Sequence, residues 1–311
     1  MISIRLLALF LLLPASAVWA QQSAPTFTEP ALSPDGHTLA FVSGGDIWSV
    51  AARGGIAHLL VSGEADASRP LYSPDGKRLA FISDKTGGGD IYILDLASGN
   101  LRRVTWADGR EALSAWSRDG EWLYFSSARD NIGGMDAVYR VRAAGGTPTP
   151  VSFEPYRNEE AGAPSPDGRV VALVGGGWGS RQWWRDGHAH IDDCAIWLLA
   201  NDGSHRYTRI TPIDARALWP MWSATGQAVY YMSDRGGVEN IWRAPRAGGD
   251  QARITHFTHG RVLWPTIAAN GSTIAFQRGF GIWTLDTATG RARPVPIKLR
   301  GVAVGSNVSH R

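Results

Sequence analysis

LSPDGHTLAFVS, residues 32–43, places a rigid turn in front of a short apolar strand. Pro34 fixes φ, Asp35 can accept hydrogen bonds from the backbone around it, and Gly36 can adopt positive φ; together they have the composition of a tight turn between two strands. The strand that follows alternates apolar with small or polar residues before an aromatic end. The same pattern returns as YSPDGKRLAFIS at 72–83, WSRDGEWLYFSS at 116–127, PSPDGRVVALVG at 164–175, WSATGQAVYYMS at 222–233 and IAANGSTIAFQR at 267–278. The shared glycines, Gly36, Gly76, Gly120, Gly168, Gly226 and Gly271, lie 40, 44, 48, 58 and 45 residues apart.

Each copy continues into a second aromatic-bearing strand: DIWSV from Asp46, DIYIL from Asp90, AVYRV from Ala137, AIWLL from Ala195, NIWRA from Asn240 and GIWTL from Gly281. Gly- and Asp-rich links such as SDKTGGGD and SDRGGVEN separate the two strands. Four copies carry a proline, Pro30, Pro70, Pro220 or Pro265, three positions before the turn, and most close on a further polar strand such as NLRRVTW. Four short antiparallel strands per unit describe a propeller blade, which cannot bury both of its faces alone. The sequence thus predicts an all-β fold, a six-bladed β-propeller of four-stranded antiparallel blades over residues 21–300. An open solenoid is the alternative, although its repeats are usually shorter and more uniform.

The opening MISIRLLALFLLLPASAVWA combines Arg5, an apolar run and a small-residue ending, the pattern of a secretory signal peptide cleaved after Ala20. Its apolar run is shorter than the roughly 20 residues a membrane-spanning helix needs. The reading is therefore a chain that does not span the membrane and resides in the periplasm or is secreted. Removing residues 1–20 takes away Arg5 and no acid, so 31 basic residues become 30 against 28 acidic ones. That near-balance, with no Lys/Arg run, argues against a nucleic-acid partner. The single cysteine, Cys194, has no internal disulfide partner and reads as a buried small hydrophobe.

No G-x-S-x-G, H-E-x-x-H, S-x-x-K or P-loop pattern is present, so no catalytic residue and no cofactor is assigned. The one stretch that breaks the repeat is GGWGSRQWWRDGHAHIDDCAIWLL at 176–199, within the longest interval between turn glycines. Trp178, Arg181, Trp183, Trp184, Arg185, His188 and His190 combine flat apolar surface with fixed donors, which suits ligand binding. The alternative is that Trp183 and Trp184 fill space between blades. His188 and His190, if on a strand, would face one way and with Asp192 form a weak metal candidate; a packed or recognition loop is the favoured reading. Trp48, Trp197, Trp242 and Trp283 recur at one strand position and read as inter-blade packing. Asp35, Asp75, Asp119 and Asp167 are expected to accept hydrogen bonds inside their turns, one carboxylate per turn being too few for calcium.

The repeat S-P-D-G-x-x-(I/L)-A-F with (D/N)-I-(W/Y) resembles the TolB-type propeller repeat over residues 27–299. WWRDGHAHIDDCAIWLL, ALWPMWSATGQAVYYMSDRGGVENIWR and FGIWTLDTATGRARPVPI resemble, more narrowly, the N-terminal six-bladed propeller of tricorn-like proteases, which also precedes some exported amidohydrolases. The resemblance implies a non-catalytic module that binds a peptide or protein, with a catalytic domain elsewhere in a parent serine protease. The alternatives are an envelope adaptor of the TolB type and the front domain of a metal-dependent amidohydrolase. On this reading residues 301–311 are a tail cut short of a further domain.

Overall fold

A computed structural model of the chain describes residues 25–63 and 65–300; the signal peptide expected at 1–20 and the tail expected at 301–311 lie outside the described residues. Blade 1 comprises β1 (Thr28–Leu32), β2 (Thr38–Ser43), β3 (Asp46–Ala51) and β4 (Gly55–Val61). Blade 2 comprises β5 (Ala67–Tyr72), β6 (Arg78–Ser83), β7 (Asp90–Asp95) and β8 (Leu101–Arg103); blade 3 comprises β9 (Ala112–Trp116), β10 (Trp122–Ser127), β11 (Ala137–Arg142) and β12 (Thr149–Pro150). Blade 4 is built from β13 (Asn158–Pro164), β14 (Val170–Gly176), β15 (Cys194–Ala200) and β16 (Tyr207–Arg209). Blade 5 uses β17 (Ala217–Trp222), β18 (Ala228–Ser233), β19 (Asn240–Pro245) and β20 (Ala252–Arg253), and blade 6 uses β21 (Leu263–Ile267), β22 (Thr273–Arg278), β23 (Gly281–Asp286) and β24 (Ala292–Pro294). Within each blade sequential strands pair antiparallel. The first strands touch one another in series around a central channel, and β1 meets β21 to complete the ring. The fold is the six-bladed β-propeller that the repeat predicts.

The repeated turn explains its own sequence. In blade 1 the Asp35 carboxylate accepts from the Ser33 hydroxyl at 2.6 Å and from the His37 N–H at 3.0 Å, while Ser33 Oγ accepts from the Thr38 N–H. The same bonds recur around Asp75, Asp119 and Asp167. Gly36 stands at φ +76° and donates its N–H to the Ser33 carbonyl, a conformation an L side chain strains to adopt. Beyond the turn, the second strand of every blade is sealed, and its apolar residue faces an aromatic on the third strand: Phe41 with Trp48, Phe81 with Tyr92, Phe125 with Tyr139, Leu173 with Trp197, Tyr231 with Trp242, and Phe276 with Trp283. Trp48, Trp197, Trp242 and Trp283 are half-buried against the blade cores, as their recurrence predicts. Cys194 is fully buried and burial drives its thiol pKa upward.

The closure adds one detail to the propeller read over residues 21–300. Blade 6 ends at Pro294, and a further strand, β25 (Ile297–Leu299), leaves it to pair in parallel with Gly55–Ala57 of β4. Blade 1 thereby has five strands, and its outer edge is covered by the far end of the described chain. On the inner side the Phe27 N–H donates to the Phe280 carbonyl at 2.9 Å.

Candidate functional site

The channel wall is shaped by an irregularity in the first strands. In five blades the residue seven positions before the turn glycine sits in a bulge at positive φ: Glu29 (50°), Arg69 (52°), Ala161 (54°), Trp219 (55°) and Trp264 (52°). All five, with Leu113 at the corresponding place in blade 3, line a cavity of about 580 Å3 at the mouth opposite the S-P-D-G turns. Left-handed backbone at a non-glycine residue costs about 1–3 kcal/mol, and such strain clusters at functional sites. Here it is repeated around a ring.

Three tryptophans and an arginine meet in that mouth. The ring centroids of Trp219 and Trp264 are 5.1 Å apart, Trp183 meets Trp264 edge-on at 4.4 Å, and the Arg69 guanidinium lies 4.4 Å from the Trp264 ring centroid. Arg69 also donates from Nε to the Leu113 carbonyl at 3.2 Å, and burial holds its pKa below the usual arginine value. Its backbone N–H donates to Glu29 of the neighbouring blade.

Trp183 arrives from the blade-4 link, residues 177–193, which folds over the mouth as a strap. Two single-turn 3-10 helices, Trp178–Arg181 and His190–Asp192, give it shape. Gly179 is required where the two meet, because a Cβ there would stand 2.5 Å from the Ile191 carbonyl oxygen. The strap is latched to blades 5 and 6 by arginines that take its carbonyls. Arg216 donates to the carbonyls of Arg185 and Gly187, and Arg261 to those of Trp183 and Trp184. Arg216 is 2% exposed and also donates from Nε to Asp234 at 3.0 Å; Glu239 pairs with Arg261 at 2.9 Å. Burial pushes the Glu239 carboxyl up, against the pull of Arg261. Across the mouth Glu111 behaves alike: buried, accepting from Thr105 and paired with Arg129, yet raised by loss of water.

The sequence candidates separate into distinct roles here. Trp183 is half-buried and packs into the channel, whereas Trp178 and Trp184 are more than half exposed. Arg185 pairs with the buried Asp192 at 3.0 Å and so ties the strap to itself. Arg181 lies in the first 3-10 turn. His188 and His190 are not on a strand: His188 occupies the loop and His190 starts the second 3-10 turn. His188 Nδ1 lies 3.0 Å from Asp234 and Nε2 3.0 Å from Asp193, while Asp192 is engaged by Arg185 and by the Ala189 N–H. Among the described residues no group of three or more His, Cys, Asp or Glu is placed to hold a metal ion. The sequence reading missed the wall residues Glu29, Arg69, Trp219 and Trp264. Their signal was available, since each directly precedes one of the four recurrent prolines.

A propeller with a strap-covered channel, and, among the described residues, no helix long and apolar enough to cross a membrane, defines the class. The chain belongs to the family of the tricorn protease N-terminal beta propeller domain, whose model matches residues 24–291. It is 26% identical over 256 residues to a tricorn protease homolog of Saccharolobus solfataricus, covering 81% of this chain and 23% of that one. It is 35% identical over 85 residues to an uncharacterized protein of Agrobacterium fabrum, covering 27% of this chain and 28% of that one. The chain thus spans about a quarter of the length of these curated relatives. Among solved structures, the tricorn protease superposes with a TM-score of 0.72 at 20% identity, over 87% of this chain and 26% of that one. A putative TolB from Agrobacterium tumefaciens superposes with a TM-score of 0.62 at 22% identity, over 76% and 83%. At these identities the two structures share its fold.

Proposed function

We propose that this chain is an exported, non-catalytic propeller that binds a peptide or protein segment at the strap-covered mouth of its channel. It acts as the N-terminal module of a tricorn-like serine protease, with the catalytic domain of that parent as its partner, in the periplasm or outside the cell. The observation that carries this is the cluster of Trp183, Trp219 and Trp264 with Arg69 in one open cavity. Aromatic rings and guanidinium groups dominate binding hot spots, and the cavity lies within the roughly 300–1,000 Å3 typical of ligand pockets. Trp184, exposed and edge-on to Trp183 at 6.0 Å, continues the apolar surface outward.

The test is selection of random peptides on the immobilised protein. Peptides should be enriched, and Trp184→Ala should weaken the best of them by about tenfold without shifting Tm. Enrichment of no peptide, or affinity indifferent to Trp184, Trp183 and Arg69, would overturn the reading. The purified protein is also expected to turn over no peptide, ester or cyclic amide. Turnover that vanishes on one substitution would show the module to be an enzyme.

A further inference from the structure

The opposite mouth of the channel carries a feature that the strap site does not use. Six equivalent positions, the second residue of each S-P-D-G-type turn, frame it: Pro34, Pro74, Arg118, Pro166, Ala224 and Ala269. Five are uncharged and small or rigid. The sixth, Arg118, reaches across the axis and donates from Nη1 to the backbone carbonyl of Ala269, the same position in the diametrically opposite blade, at 3.1 Å. A charged bar therefore spans a cavity of about 220 Å3 whose wall includes Tyr72, Trp116 and Trp222. The indole N–H groups of Trp116 and Trp222 are already spent on the carbonyls of Leu71 and Ala163, so the two rings are fixed. Arg118 is exposed, and none of the ion pairs among the described residues includes it.

We infer that this turn-face mouth is a second binding site, which recognises a carboxylate on an extended peptide, with Arg118 as its anchor. The neutral Ala269 carbonyl offers the guanidinium one acceptor and no opposite charge, whereas a carboxylate adds an ion pair and can accept two parallel N–H bonds. A peptide carboxylate thus displaces the Ala269 contact and swings the bar off the mouth, while the proline-lined rim and fixed indoles pack against the Cα and methylene groups beside it. Arg69, which lines both cavities, stands next along the channel. Its anchor, Arg118, lies outside the strap mouth, so the two sites can be tested separately.

The experiment uses three flexible Gly/Ser peptides: one with a single internal Asp and an amidated C-terminus, its Asn twin, and a third without Asp but with a free C-terminal carboxylate. Binding is followed by the indole N–H resonances of Trp116 and Trp222, with those of Trp183 and Trp184 reporting the strap mouth. The Asp peptide should shift Trp116 and Trp222 with an affinity about tenfold above its Asn twin. Arg118→Ala should erase that preference at unchanged Tm, Arg118→Lys should retain part of it, and Trp184→Ala should leave it intact. The third peptide identifies whether a chain terminus or an acidic side chain is the natural source of the carboxylate. Equal affinity for the Asp and Asn peptides in the unaltered protein, a preference that survives Arg118→Ala, or shifts confined to Trp183 and Trp184 would overturn the inference.

Discussion

At the turn face the channel opens through six copies of one position, all but one uncharged, each held by a turn that repeats around the ring. At the strap face it opens through long, unequal links, with three tryptophans, buried carboxylates and arginines that bond to another segment's backbone. The same first strands supply both ends, so the difference lies in the connections. A tight turn whose carboxylate, hydroxyl and glycine are all committed leaves one side chain free to vary, and Arg118 is that variation. Links between the second and third strands carry no such constraint, and blade 4 has used the freedom to grow a strap. Individuality in a repeat protein accumulates where the loops are long.

The contrast is most exposed to Arg216→Met. The substitution takes the guanidinium from the buried Asp234, leaving it His188 and the residue-216 backbone N–H, and releases the strap carbonyls of Arg185 and Gly187. Breaking one side of a buried pair costs about 3–5 kcal/mol, and each kcal/mol should lower Tm by about 2–4 °C in a domain of this size. Amide hydrogen exchange should rise across 183–193 and stay unchanged in the S-P-D-G turns. Uniform loss of protection would show that the strap and the ring are one cooperative unit.

Next in size is Trp183→Ala. A fully buried tryptophan costs about 3–5 kcal/mol on truncation; Trp183 is only half-buried, so the loss measured by denaturant unfolding should be about 2 kcal/mol. Trp184→Ala, on an exposed ring, should stay within about 0.5 kcal/mol of the parent and act on peptide affinity alone. Equal stability losses for the two neighbours would show that Trp183 does not carry the strap's packing in addition to its place in the cavity.

The smallest effect is electrostatic. Donation by the Ser33 and Ser165 hydroxyls holds the turn-face carboxyls of Asp35 and Asp167 down at about 2, whereas burial pushes Glu111 and Glu239 at the strap face up. Carboxyl-detected NMR should therefore find the turn-face aspartates titrating below the ordinary carboxylate range and the strap-face glutamates above it. For the lowered aspartates the linked stability is present above about pH 4, the unfolded value, and is lost as pH falls through about 2; for the raised glutamates it is present below about pH 4 and lost as pH rises through their folded values. Ser165→Ala should return Asp167 toward the ordinary carboxylate range. A titration unmoved by that change would remove the hydroxyl as the cause.

The ring was legible because each turn makes a local demand that only particular residues meet: Gly36 and its five counterparts all stand at positive φ, and Asp35 bonds within two residues of itself. The strap was legible as an interruption and not as a device. Its latches, Arg216, Asp234, Glu239 and Arg261, lie far from it in sequence and look like ordinary surface charges there. The same holds for His188, whose two carboxylate neighbours include Asp234 from the next blade. Glu29, Arg69, Trp219 and Trp264 carried a signal that was read only in part. The prolines recur in step with the turn and read as part of its repeat, while the channel-lining side chain belongs to the residue before each proline.

The parallel pairing of β25 with β4 sets an order of events during synthesis. Phe27, Leu39 and Phe41 of blade 1 share their core with Ala268, Ala275 and Ile282 of blade 6. On the ribosome that flank of blade 1 and the open edge of β4 must wait for the last of the described chain, and at about 5–20 residues per second the wait is on the order of tens of seconds. For that interval the nascent protein is a sticky crescent with a bare apolar end, which a holdase chaperone would shield. A circular permutant opened between blades 3 and 4 would move the vulnerable seam there, and its yield in cells would report how much of that shielding is specific to blade 1.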